Sequence, residues 1–275
     1  FAFLHGKNRI RTIKLKGTLS QGLALPVQEV LNSYGFILVT EDSVQEGDDL
    51  TDLLEVKQPY SGGPGQRRGT PVGCKPFPFH IGVSKTDEVR VQSEPKLLEA
   101  LQGEPYIATV KLDGQSATFA WTEEDGFLVC SRNLWIKERD NSSYWKIADK
   151  YNLEEFLNFV PFAIQGEVCG PGIQGNKLGL TEVDFFVFGI FDLEEKKYLG
   201  PDRVQDFCAS HGLKAVPVAE KGRNFKHLQE SLLKRAEGLY PGTDNQREGI
   251  VVRSLDGRIS FKVISNAFLL KEKDS

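Results

Sequence analysis

Read as a pattern of apolar and polar positions, the chain is mostly short β-type runs broken by Gly- and Pro-rich turns, with a few stretches of helical spacing. The most informative run is 106–121, YIATVKLDGQSATFAW. It carries a single lysine, Lys111, turns at Asp113-Gly114, and then resumes with strand-forming residues. Asp-Gly between β-prone runs is a turn signal, so Lys111 is expected at the end of a strand beside a tight bend. Further strands are predicted over 126–131, 161–169, 183–191, 248–253 and 258–264. Helices are predicted over 94–101 and from Pro201 to just before Gly212. Another is expected from about His227 to Glu237. A longer one should start at Ser142 or Ser143 and reach about Phe159, with Tyr144, Ile147, Ala148 and Tyr151 near helical spacing.

Upstream, residues 9–26 alternate basic and apolar positions and pass through a Gly/Ser turn, the pattern of a hairpin with one basic face. An acidic stretch at 46–50 leads into a short turn or helix. Residues 58–73 are rich in Gly and Pro, and the domain boundary is placed there. Residues 76–92 read as irregular and then polar. Helices interleave with many strands without a βαβ repeat, so the fold class is α+β.

At 275 residues the chain can form one large domain or two smaller ones. No apolar run approaches membrane-spanning length, and the start lacks a signal pattern. Cys74, Cys130, Cys169 and Cys208 are widely spaced and form no metal-type pair, which reads as reduced thiols in an intracellular compartment, cytoplasmic or nuclear. With 34 basic and 38 acidic residues the net charge is −4, so any polyanion site must be a local cluster. The chain starts at Phe1 and contains no methionine, initiator included, which suggests a fragment or a sequence from which residues are missing.

Four predicted strands carry a charged group that their apolar context does not need: Lys111, Glu167, Glu248 and Lys262. A lysine in an apolar strand is costly unless paired. One reading is a buried ion pair of Lys111 or Lys262 with a carboxylate. The other is a phosphate-and-metal site with a lysine nucleophile. An amine attacks only when neutral, and an ordinary lysine sits about three units above neutral pH, a handicap of about 4 kcal/mol. A divalent metal held by Asp113, Glu167 or Glu248 would lower that pKa and clamp phosphate oxygens, and Lys262 would add positive charge. His5, His80, His211 and His227 fit no catalytic spacing.

Lys111-Leu112-Asp113-Gly114 resembles the K-x-D-G nucleotidyl-acceptor motif of ATP-dependent ligases and capping enzymes. In order along the chain, Ser131-Arg132-Asn133, Gln165-Gly166-Glu167, the aromatic run 184–188, the E-G-hydrophobic run 248–253 and Ser260-Phe261-Lys262 resemble the motifs that follow it. Together they span roughly 76–270. The loop 170–180 and the segment 132–146 are most similar to ATP-dependent RNA ligases with an N-terminal OB-like module, the latter part of which resembles residues 9–26 and 46–54.

This resemblance implies an α+β nucleotidyltransferase (ATP-grasp-like ligase) domain of antiparallel sheets with flanking helices over 58–275, preceded by a β-rich, partial OB-like module over 1–57. It implies RNA with 3′-hydroxyl and 5′-phosphate ends as partner, a nicked duplex foremost, with ATP and Mg2+ or Mn2+ as cofactors, in RNA repair. A monomer is the default expectation. Lys111 is then the nucleophile, with Glu248 and Lys262 completing the catalytic set. Glu167 should bond the ribose, Phe188 (with Phe186 as second choice) should stack on adenine, and Arg132 should contact phosphate or ribose. Thr109, Val110, Asp113 and Gly114 complete the nucleotide contacts. Glu248, Asp113 and Glu167 are the candidate metal ligands, mostly through waters, and Lys262 should contact the α-phosphate. Many relatives have K-x-K in the closing motif; here the partner positions are Ser260 and Ile264, which leaves Lys271 or an arginine to supply a second charge. Competing readings are a DNA ligase or capping guanylyltransferase, and a catalytically silent RNA-binding scaffold. Lys137, Arg139 and Lys146 read first as solvated charges.

Overall fold

The structure, a computed structural model, describes residues 71–271 and two short strands near the start. Contacts between backbones divide the chain into two units, Phe1–Gly69 and Thr70–Ser275. In the first, β1 (Ile13–Leu15) and β2 (Thr18–Ser20) pair antiparallel with Leu15 opposite Thr18, within the hairpin expected over 9–26. The remainder of the expected OB-like module, including Arg9, Arg11, Lys16 and the acidic stretch at 46–50, lies outside the described residues, as does the side chain of Lys14.

The second unit is built on two mainly antiparallel sheets. The larger contains β3 (Cys74–Pro76), β5 (Gln115–Thr122), β6 (Gly126–Ser131), β7 (Leu134–Ile136), β8 (Phe162–Cys169), β9 (Asp184–Asp192), β10 (Lys197–Tyr198) and β11 (Lys214–Ala215). They run in the order β10-β9-β8-β5-β6-β7-β3, and β11 pairs parallel with β9. The smaller sheet, in the order β12-β4-β13-β14, contains β4 (Tyr106–Lys111), β12 (Val218–Gly222), β13 (Gly249–Ser254) and β14 (Ser260–Ile264). β4 lies between β12 and β13 and is buried along most of its length, which is why it reads as an almost unbroken apolar run.

The helices are α1 (Lys96–Leu101), α2 (Ser143–Lys150), α3 (Leu153–Asn158), α4 (Pro201–Ser210), α5 (Gln229–Ala236) and α6 (Asn266–Lys271). The single helix expected up to Phe159 is two. Ser142 caps α2 by accepting from the Trp145 N–H, but Asn152 takes a left-handed conformation (φ 48°) that ends the first helical run. Asparagine tolerates this conformation better than most residues. The break lets Ile147 and Ala148 from α2 and Leu153 and Leu157 from α3 enter one core with Phe119, Phe185, Val187 and Val204.

β9 carries a bulge. Gln165 faces Gly189 and Gly166 faces Val187, so Phe188 has no opposite residue. The extra residue changes the alternation: Phe185, Val187 and Ile190 enter the helix-covered core, while Phe186 and Phe188 pack with Val110, Leu112, Cys169 and Tyr240. That second layer joins the two sheets beside Lys111. Among the described residues no helix is long and apolar enough to cross a membrane, and the four cysteines are unpaired.

Candidate active site

β4 ends at Lys111 in the small sheet, and β5 starts at Gln115 in the large one. The Asp-Gly turn therefore carries the chain from sheet to sheet, and Lys111 sits where the two meet. Glycine is required at the crossing: a Cβ on Gly114 would collide with the Val168 carbonyl and lie 2.8 Å from the Cys169 sulfur. Lys111 faces Gly249 in the ladder, which brings in the residue before it, and the Glu248 carboxylate accepts from Lys111 Nζ at 2.6 Å. A side chain on Gly249 would collide with the Val263 carbonyl, so the close packing of β13 on β14 explains the glycine after Glu248. The buried Tyr240 hydroxyl secures this corner by donating to the Lys111 carbonyl (3.3 Å) and accepting from the Glu248 N–H (3.0 Å).

Glu167, on β8, accepts from the Gly114 N–H at 3.1 Å. Burial pushes its pKa up to about 7, against the pull of Lys111 and with the Glu248 and Asp113 charges adding to the rise. Burial likewise raises Glu248, with Lys111 opposing. Asp113 pairs with Lys177 at 2.5 Å, and Lys177 lies over the Phe268 ring. Lys262, on β14, donates to Asp87 Oδ1 at 2.8 Å, while Arg132 donates to the other oxygen of that carboxylate at 2.6 Å.

Asp87 belongs to an extended strap that sequence reading left as irregular. Along it, the Ser84 carbonyl accepts from Gln165 (3.0 Å), Lys85 donates to Asn133 (2.9 Å), Thr86 bonds Ser116, and Glu88 pairs with Arg253 (2.7 Å). The Val89 carbonyl accepts from the Lys262 backbone N–H at 2.8 Å. No local signal marks these contacts, because each partner is at least 30 residues away in the chain.

These elements enclose a cleft of about 750 Å3. Thr109, Val110, Lys111, Asp113, Gly114, Arg132, Glu167, Phe188, Glu248 and Lys262 all line it, so the structure brings together all the expected site residues except Phe186. Phe186 packs in the apolar layer joining the sheets. Sequence reading missed Asp87, Glu88 and Lys85 on the strap, and also Tyr198, whose hydroxyl donates to Gln165 at 2.9 Å. Ser260, one of the two positions considered for a second closing-motif lysine, lines the cleft, and its buried hydroxyl finds no partner among the described residues. The side chain of Lys271 is outside them.

The donor set fits a hydrated divalent cation. Glu167 and Glu248 are both penalised for carrying charge, and an added cation would relieve that penalty. Among the described residues no group of three or more carboxylate, histidine or cysteine side chains forms a direct ligand cage. Asp113, Glu167 and Glu248 are instead spread around Lys111, as suits magnesium or manganese held largely through water and phosphate oxygens.

A lysine held against a carboxylate where two antiparallel sheets meet, with cations across the cleft, defines a nucleotidyltransferase-type ligase domain. Residues 104–264 match the RNA ligase family. The chain is also similar to solved structures of an RNA ligase from Naegleria gruberi. The one described with pyrophosphate is 35% identical (TM-score 0.76), covering 97% of this chain and 77% of that one. Mutant forms described with ATP and manganese (35%, TM-score 0.77) and with AMP and manganese (34%, TM-score 0.76) align over the same shares. No curated protein sequence gives a significant match. The chain belongs to the RNA ligase family.

Proposed function

We propose that the chain is an ATP-dependent RNA ligase that joins 3′-hydroxyl and 5′-phosphate RNA ends through an AMP bound to Lys111. The observation that carries this reading is Lys111 Nζ, 2.6 Å from Glu248, in a cleft that also holds Lys262 and Arg132 around one carboxylate. Nζ becomes a nucleophile by losing a proton, and Glu248 is in contact to receive it. The amine then bonds the α-phosphorus of ATP as the bond to the pyrophosphate oxygen breaks. An oxygen of the RNA 5′-phosphate next takes the AMP from Nζ, restoring the lysine. A 3′-hydroxyl finally attacks the activated 5′-phosphorus and AMP leaves. All three are in-line displacements governed by positioning and charge.

Lys262 serves the α-phosphate. Arg132 supplies the second cation there, since both share Asp87. Phe188 on the cleft wall stacks on adenine, and Glu167 holds the ribose. A divalent cation near Glu248, Asp113 and Glu167 would neutralise phosphate charge and favour the neutral amine. Nicked duplex RNA is the preferred substrate and repair the setting. We assign residues 1–57 to an OB-like module and 58–275 to the catalytic domain, acting as a monomer.

The test is incubation with α-labelled ATP and Mg2+ or Mn2+, then denaturing electrophoresis, beside Lys111→Ala. Label should survive denaturation in the parent and be absent from the variant. Parent protein free of prebound AMP that takes no label with either metal would overturn the reading; labelling by GTP instead would point to a capping enzyme.

A further inference from the structure

We propose that the edge of the large sheet formed by β3 and β7 is a docking surface for RNA phosphates, with Lys75 and Lys137 as its paired cations. This rests on the ligase reading, which requires a polynucleotide to leave the cleft along some surface. Among the described residues β3 is the last strand of the sheet and pairs with β7, placing Lys75 opposite Trp135. The Lys75 ammonium lies 5.3 Å from the centre of the Trp135 ring and that of Lys137 4.7 Å from it, so one indole holds two like charges. Neither lysine has a carboxylate within ion-pair distance among the described residues. The Lys75 contact pulls Lys137 below the ordinary lysine value, the mark of a repulsive pair. Asp125, which acts the other way, is held by His80 at 2.6 Å.

Two ammonium groups over one ring repel each other, and a phosphate between them turns that repulsion into attraction. Arg139 is the contrast: it also covers an indole, that of Trp145, but Asp149 and Glu154 neutralise it. The surface is continuous with the cleft. Asn133 lines the cleft and immediately precedes β7, and strand rise puts Lys137 about 13 Å further along. Lys85 stands at the junction, lining the cleft with its ammonium 5.4 Å from the ring of Phe79, which is 56% exposed. Phe79 offers an exposed ring beside these cations, as a nucleic-acid track needs, while the buried Trp135 seats the two lysines.

The test compares parent, the double variant K75A/K137A and the charge-keeping K75R/K137R. Each is assayed for lysyl-AMP formation with ATP alone and for binding to a nicked RNA duplex across salt concentrations. K75A/K137A should label at the parent rate, which shows it folded, yet bind RNA at least tenfold more weakly. Its dependence of log affinity on log salt should be shallower by about 1.5, as for two lost phosphate contacts. K75R/K137R should restore both. Parental affinity and salt slope in K75A/K137A would overturn the proposal. A parent that fails to label sinks the ligase reading instead, and the binding comparison still decides the surface.

Discussion

Asp87 reaches Lys262 with one oxygen at 2.8 Å and Arg132 with the other at 2.6 Å, an arrangement that two non-bridging oxygens of a phosphate could reproduce. A nucleotide using both cations must displace this carboxylate. Burial opposes its ionisation, but the Lys262 hydrogen bond and the Lys262, Arg132 and Lys111 charges hold the pKa below the ordinary carboxylate value. For an acid with a depressed folded pKa, the stabilisation is present above the unfolded value of 3.8 and fades as pH falls through the folded one. At neutral pH the latch is therefore fully formed. Asp87→Asn should raise apparent ATP affinity threefold to tenfold, on the order of 1 kcal/mol for two half-exposed ion pairs. Titration of ATP into the AMP-free protein measures it; unchanged or weaker binding would refute the latch. Lys111, Glu167, Glu248 and Lys262 were legible in the sequence because a charge in an apolar strand demands a reason. Asp87 was not, since a carboxylate in a polar stretch is ordinary and its partner Lys262 is 175 positions away.

Among the elements, the long apolar strands could be read directly: β6 was expected at its observed limits, and β8, β9, β13 and β14 within two residues. The short strands β3, β7, β10 and β11 were missed because two or three residues cannot display a period. Nor does periodicity reveal which sheet a strand joins, so the crossing at Asp113-Gly114 was visible only as a turn. What holds that crossing is Tyr240, from the loop after α5. Its hydroxyl ties the end of β4 to the start of β13, and burial raises its pKa, keeping it a neutral donor. Tyr240→Phe preserves the ring and leaves the Glu248 N–H unsatisfied, at a cost of about 1–3 kcal/mol. In a unit of this size that lowers Tm by roughly 2–4 °C per kcal/mol. Lysyl-AMP formation should slow in parallel, because Lys111 and Glu248 lose their common anchor. A variant with parental Tm and parental labelling rate would show that the hydroxyl holds nothing.

At the scale of the whole molecule, the described cleft and both of its sheets fall within Thr70–Ser275. All groups assigned to the first chemical step, from Lys111 to Lys262, are therefore encoded after Gly69. The earlier residues contribute a different resource: Arg9, Arg11, Lys14 and Lys16 alternate with apolar positions in a chain whose overall charge is negative. Attraction to a polynucleotide must come from such local clusters, since the net charge opposes it. The two steps should therefore separate. A chain starting at Thr70 should take label from ATP at close to the full-length rate, yet seal nicked RNA far more slowly, with the deficit growing as salt is raised. Labelling and sealing assays on both lengths, with circular dichroism to show that the shorter chain is folded, make the comparison. A folded shorter chain that cannot label would place part of the nucleotide site before Thr70. One that seals as well as the full chain would leave the basic residues of the first unit without a role in holding RNA.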